Sequence, residues 1–212
     1  MRKVVLLLIM LSAVLAFGCK EKKKSGEKWV EKTETFYAVA DATVYEEPTF
    51  ANSNYGSEQT CEVGYDLGYL EGTFVKWDLS SIPTNAQILE VKIVLKISDV
   101  DNIVGNNFVF WVYKVGAPWD EATVTWNNMP SASFDPIDVF NGPSGTGHYE
   151  VDFTNSPDTV AMIEGWVKNP SNNHGIYIDP DWQASQGDSH MEFSSKEGGN
   201  APALIIKYRY QQ

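Results

Sequence analysis

The chain has 212 residues, with 28 acidic and 16 basic residues, seven Trp, ten Tyr, ten Phe and two Cys. This length suits one well-buried domain and leaves room for only two small ones, and the aromatic content argues against disorder. The net charge of −12 argues against a nucleic-acid partner, because phosphate backbones select basic surfaces.

Residues 1–18 have the pattern of an export signal. Met1–Lys3 is basic, and the apolar run from Val4 to Phe17 is short for a membrane-spanning helix. The small residue before Cys19 resembles a bacterial lipoprotein cleavage site. This predicts an exported protein of the cell envelope (outer membrane or cell surface) that contacts membrane only through lipid on Cys19. The alternative is an ordinary signal peptide with an incidental cysteine.

Residues 19–35 are predicted to form a flexible spacer, because Lys and Glu dominate them and few bulky apolar residues could be buried. The folded domain is predicted over residues 36–212. Residues 1–32 carry eight of the basic and three of the acidic residues, so the remainder has a net charge of −17. Such a domain should repel anionic polymers and attract divalent cations. Processing would leave Cys61 as the one other cysteine, without a disulfide partner and most simply buried.

Short extended segments dominate the predicted domain. Leu89–Ile97 alternates apolar and polar residues, and 107–115 is apolar on both faces, as a central strand requires. Further strands are predicted at Tyr37–Tyr45, Thr60–Gly64, Thr73–Leu79, Val124–Trp126, Tyr149–Phe153, Gly175–Ile178, Met191–Ser194 and Ala203–Tyr208. One helix should begin after Ser156, a capping residue followed by Pro157, and end at Asn169-Pro170. The predicted fold is an all-β antiparallel sandwich of jelly-roll type with one short helix.

Catalytic patterns are weak in the sequence. The three His residues are far apart, and the chain lacks a Gly-x-Ser-x-Gly elbow and a phosphate-binding Gly loop. Acidic pairs such as Asp120-Glu121 are expected by chance at this charge, and spacing along the chain does not give the separation that glycoside hydrolysis needs. The sequence therefore favours a protein that is not an enzyme.

Calcium is the one cofactor that the sequence suggests. Asp41, Asn52 and Asn54 offer hard oxygens from neighbouring segments, and Asp179, Asp181 and Asp188 form a second oxygen-rich stretch. Ordinary solvated turns, where Asn and Asp are common, are the alternative for each of these residues.

Tryptophan is the other candidate for ligand contact, because exposed rings stack on the apolar faces of sugars. Trp111 and Trp166 lie in apolar patterns and are predicted to be core, whereas Trp119 and Trp182 lie in polar loops.

The order of several motifs resembles a known family. They are Asp41–Val44, Asn52–Gly56, Phe74–Pro83, Ala86–Leu95, Trp119–Pro130, Asn173–Ile176, Phe193–Glu197 and Pro202–Tyr208. This pattern resembles a DNRLRE (disaggregatase-related) domain, a type grouped with carbohydrate-binding modules of the alginate-binding kind. The resemblance implies a non-catalytic β-sandwich that binds polysaccharide or a cell-surface glycan.

The basic residue usual before the Asp-Leu-Ser-Ser motif has no match at Gly72 or Thr73, so a neutral or calcium-bridged glycan fits better than an anionic one.

The residues expected to contact the glycan are Trp119, Trp126, Trp77, Lys76 and Glu121. Two alternatives remain open: a structural or adhesive surface protein that self-associates without sugar, and an enzyme such as a lyase or hydrolase. The Trp119–Pro130 block also has a structural interpretation, since a family motif in a sandwich often secures a corner.

Overall fold

A computed structural model describes residues 28–103, 108–130, 135–180 and 188–212 of the chain. Strands fill most of these ranges, and every strand pairing is antiparallel. The elements in chain order are β1 (Trp29–Tyr45), β2 (Thr60–Asp66), β3 (Tyr69–Trp77), β4 (Gln87–Asp101), β5 (Val109–Lys114), β6 (Asp135–Asn141), β7 (Gly147–Asp152), α1 (Pro157–Lys168), a 3₁₀ turn (Pro170–Asn172), β8 (Ile176–Pro180), β9 (Ser189–Ser194) and β10 (Ala203–Gln211).

The long strand β1 joins the two layers of the fold. Its first half pairs with β10, which pairs with β4, and β4 in turn pairs with β7. After a register shift between Ala38 and Ala40, its second half pairs with β3, followed by β8, β5 and β6. Strands β9 and β2 connect β4 to β3 on the other side. The structure thus confirms the predicted antiparallel β-sandwich.

Strand β4 shows how the sequence pattern makes the core. Val91, Ile93, Leu95 and Ile97 are buried, and the residues between them are half-buried, as period-two alternation predicts. The prediction is wrong at Leu89, because a register shift in the pairing with β10 turns Ile88 inward instead. A β-bulge of this kind inserts one residue and reverses the facing of those before it.

Other strand boundaries also differ from the prediction. Residues 29–35, assigned from sequence to the spacer, are the first seven residues of β1 and pair with β10, so the predicted spacer extends too far. These residues are mostly exposed, and the backbone ladder rather than apolar burial holds them. The strand predicted at Val124–Trp126 is wrong, since these residues lie in a loop, and β6, an edge strand containing Pro136, was not predicted.

The helix is confirmed. Ser156 caps it, with its hydroxyl accepting from the Thr159 N–H at 3.4 Å, and Pro157 begins the first turn. Ile163 and Trp166 face inward and join the main core between the layers. Within the described residues, no helix combines the length and hydropathy that crossing a membrane requires. Cys61 is buried, as predicted.

Candidate functional site

A second, smaller apolar cluster lies on the outer face of the layer containing β3 and β8. The loop 115–130 covers this cluster at one corner of the sandwich, and we call it the corner cluster. Its buried members are Ala42, Val44, Phe74, Val115, Val124 and Tyr177, and the half-buried side chains of Tyr113, Trp119, Trp126 and Met129 pack on them. Burial of these rings outside the sandwich fixes the loop to the sheet.

Trp119 and Trp126, two predicted ligand contacts, are thus neither sealed in the interior nor fully exposed. The Trp119 indole N–H donates to the carbonyl of His174 at 2.8 Å, and its ring centroid lies 5.2 Å from that of Phe74. A cavity of about 430 Å³ keeps one side of Trp119 accessible beside Asp120. The hydrogen bond and ring packing give Trp119 a structural role at this corner.

The Asn52–Gly56 and Trp119–Pro130 motifs contact each other directly. The Asn54 amide donates to the carbonyls of Glu121 and Val124, both at 2.8 Å. A Cβ on Gly56 would overlap the Glu121 carbonyl, so only glycine allows the two segments to approach this closely. These contacts hold the Trp119–Pro130 block against the Asn52–Gly56 segment, in agreement with the structural interpretation of that block.

Three carboxylates converge beside this corner. Oxygens of Asp41, Glu121 and Glu197 lie within 4.8 Å of one another. Glu121 accepts from the Asp41 backbone N–H at 2.7 Å, and the Lys196 ammonium lies 3.2 Å from Glu121 and also pairs with Glu197. Burial raises the pKa of Asp41 to about 6, although hydrogen bonds from the Lys196 backbone and the Cys61 thiol oppose that rise. We call this the carboxylate cluster.

The carboxylate cluster contains only Asp41 of the three predicted calcium ligands. The side-chain oxygen of Asn52 accepts from the Asn127 amide at 2.8 Å, and that of Asn54 accepts from the Gly56 N–H at 3.3 Å. Both side-chain oxygens therefore accept hydrogen bonds that stabilise loops. Lys196 supplies a positive charge in the carboxylate cluster, and calcium binding by Asp41, Asn52 and Asn54 stays a prediction.

The other residues predicted to contact glycan, Trp77 and Lys76, lie away from the corner cluster. Trp77 is 1% exposed, and its indole N–H donates to the Pro202 carbonyl at 3.0 Å, so its ring has no face for a sugar and the prediction that it contacts ligand is wrong. Lys76, the residue before Trp77 on β3, is half-buried and borders a cavity of about 350 Å³ that Trp77 also lines and that is separate from the cavity beside Trp119. Cys19, Asp181 and Trp182 lie outside the described residues.

A groove of about 550 Å³ on the outer face of the other layer was missed by sequence reasoning. Its lining residues are Thr35, Tyr37, Val94, Lys96, His148, Lys196, Gly199, Asn200, Ala201, Ala203 and Ile205. Tyr37 stands on one wall with 64% of its surface exposed, and Ala203, its partner on β10, forms part of the floor. Alternation in β1 marks Thr35 and Tyr37 as outward-facing, but only the strand register places them beside Lys96 and His148.

Comparison with known families identifies the chain. The model of carbohydrate-binding module family 96 matches residues 32–208. The chain belongs to carbohydrate-binding module family 96. This confirms the expectation of a carbohydrate-binding module, and the match covers the strands that form the groove and both motifs at the corner. No curated protein matches the chain.

Within the described residues, the groove carries unpaired basic side chains, although the module as a whole is acidic. Lys92, below the groove on β4, is paired with Glu150 at 2.7 Å, and Lys196 is neutralised by the carboxylate cluster. Lys96 has no carboxylate within 4.0 Å among the residues that the structure describes, and it lies opposite His148 in the β4–β7 register. The groove therefore presents one aromatic ring and uncompensated donors to solvent.

Proposed function

We propose that this module binds polysaccharide or a surface glycan in the groove, without catalysis. The observation that carries the proposal is the exposed ring of Tyr37 over a floor of small and aliphatic side chains in a 550 Å³ concavity. Exposure of a large aromatic ring to water is unfavourable. A sugar can cover the ring with its apolar face while the sugar hydroxyls stay at the rim of the groove. Lys96 and His148 supply hydrogen-bond donors at that rim.

A glycan array with the exported domain, with and without calcium, tests this function. Tyr37→Ala should lower the affinity for any bound glycan by about two- to twelvefold, since ring stacking contributes about 0.5–1.5 kcal/mol. Trp29→Ala is the matched control, because Trp29 is 43% exposed on the same strand and pairs with Gln211 at its far end. Equal loss in both variants, or no binding to any glycan, would contradict the proposal.

Non-catalytic binding is general for carbohydrate-binding modules and supports that part of the proposal. Incubation with a panel of polysaccharides should yield no new reducing ends or unsaturated products. Their appearance would assign an enzymatic activity instead.

We also propose that the module is of the DNRLRE type and is held at the cell envelope by lipid on Cys19. The basic, apolar and small-residue pattern of residues 1–18 supports the anchor. Metabolic labelling with a fatty acid should mark the wild-type chain and leave Cys19→Ser unlabelled and released. A labelled serine variant would overturn the assignment.

A further inference from the structure

Another cavity, which shares no lining residue with the groove, lies where the β2–β3 hairpin meets the end of β1. Its volume is about 270 Å³, close to the lower end for small-molecule sites and suited to a single sugar unit. It is lined by Tyr45, Glu47, Phe50, Tyr55, Glu62, Asp66, Tyr69, Leu70 and Glu71. We call it the acidic pocket.

Aromatic rings form walls of the acidic pocket at steep angles to one another. The centroids of Tyr45 and Tyr55 are 4.6 Å apart with an interplanar angle of 71°, and those of Tyr45 and Phe50 are 6.2 Å apart at 65°. Phe50 and Tyr69 are both exposed large side chains. Rings arranged this way offer several negative π-faces to one bound group, which suits a cation or the apolar face of a sugar.

Every charged residue that lines the acidic pocket is a carboxylate. They come from three segments: Glu47 after β1, Glu62 and Asp66 on β2, and Glu71 on β3. The Tyr45 hydroxyl donates to Glu62 at 2.9 Å, which fixes one carboxylate against an aromatic wall. The field in this cavity is therefore negative and excludes an anionic ligand.

Glu71 provides an independent indication of a missing partner. It is 6% exposed, and its Oε2 is buried with no hydrogen-bond partner among the described residues. A buried carboxyl oxygen without a partner is costly unless a ligand or ion supplies one. Burial, reinforced by the negative charges of Glu62, Asp66 and Asp188, raises the pKa of Glu71 to about 8. The free protein thus holds a neutral acid where an adjacent cation would favour the charged form.

We propose that the acidic pocket binds the protonated amino group of an amino-sugar unit in a glycan. The carboxylates hold the ammonium, Glu71 gains the partner that it lacks, and the aromatic walls cover the sugar ring. The choice of a sugar as the molecule that carries the amine rests on the proposed glycan binding. The acidic pocket itself is a site distinct from the groove.

The test compares two oligosaccharides of equal length, the β-1,4-linked glucosamine tetramer and its fully N-acetylated form, by calorimetry at pH 6. Acetylation removes the charge and keeps the backbone. We expect the free amine to bind at least about tenfold more tightly, a difference of 1.4 kcal/mol. We also expect Tyr55→Leu to weaken that binding through loss of ring contact, and Trp29→Ala, which alters an exposed ring that lines neither the groove nor the acidic pocket, to leave it unchanged.

Proton release distinguishes the role of Glu71 from a general charge effect. At pH 6 the Glu71 carboxyl, with its raised pKa, is protonated in the free protein, so binding of an ammonium should release a proton. Calorimetry in buffers of different ionisation enthalpy should detect that proton in the wild type. Glu71→Gln should abolish the release and weaken binding about tenfold or more. The facing groups Glu62, Asp66, Asp188 and Tyr45 are unchanged in this variant.

Several outcomes would overturn the inference. Equal affinity for the amine and its N-acetylated form would do so, as would full binding and full proton release in Glu71→Gln. Methylammonium binding as tightly as the tetramer would remove the sugar from the assignment. If other glycans bind in a Tyr37-dependent way and the amine does not, the groove function stands and only this inference fails.

Discussion

Replacement of Glu71 by Gln should stabilise the protein in a way that depends on pH. In the unfolded chain the carboxyl ionises near its ordinary pKa of 4.5, whereas burial raises the native value to about 8. Between these values the unfolded state has lost the proton that the native state keeps, so the free energy of unfolding falls as pH rises. Each pH unit costs ~1.4 kcal/mol, which gives on the order of 3 kcal/mol by pH 7.

Gln keeps the shape of the neutral acid and cannot ionise. The variant and the wild type should therefore have similar stability at pH 4, and the variant should be more stable by on the order of 3 kcal/mol at pH 7, with little further change above pH ~9. Urea denaturation at pH 4, 5.5, 7 and 9 measures this difference. The difference is the relevant quantity, because burial also raises the pKa of Asp41 to about 6 and of Asp179 to about 7, and both lower wild-type stability in the same direction.

Glu58→Gln is the control for the change in net charge, since Glu58 is exposed and does not line the acidic pocket. A constant difference between Glu71→Gln and wild type at every pH would refute the reasoning. A wild type more stable than Glu71→Gln at pH 7 would mean that the native carboxylate is charged and has a partner.

Three further variants separate structural from binding roles. Trp77→Phe should lower the free energy of unfolding by about 1–3 kcal/mol, because it leaves a cavity and removes one of the two hydrogen bonds to the Pro202 carbonyl, which still accepts from the Ala38 N–H, as urea denaturation would show. Trp119→Phe should cost about 1 kcal/mol through loss of the bond to His174 and leave glycan affinity in the groove unchanged, which calorimetry tests. Lys196→Met removes the ammonium of the carboxylate cluster and should lower the melting temperature, with calcium restoring more stability than it adds to wild type in a thermal scan.

For each of these three variants, a different result would contradict the prediction. Glycan affinity lost in Trp119→Phe at unchanged stability would make that ring a ligand contact. Lys196→Met with wild-type stability and no response to calcium would show that the three carboxylates neither need the ammonium nor hold a cation. Trp77→Phe with wild-type stability would contradict its place in the core.

The sequence by itself determined the features that depend on near neighbours. The helix follows from Ser156, Pro157 and apolar spacing, and most strands follow from alternation, because capping and side-chain facing involve residues a few positions apart. The motif order was enough to indicate a carbohydrate-binding module, as the family match confirms.

Only the tertiary structure decided which side chains meet. Trp77 and Tyr37 both lie on predicted strands, yet the Trp77 ring is buried with its N–H bonded to the Pro202 carbonyl, and the Tyr37 ring is exposed beside the groove. The Asp41 carboxylate accepts from the Lys196 N–H across 155 residues. Such contacts depend on strand register and on one-residue bulges, which a local pattern does not fix, since a shift of one residue exchanges the two faces of a strand.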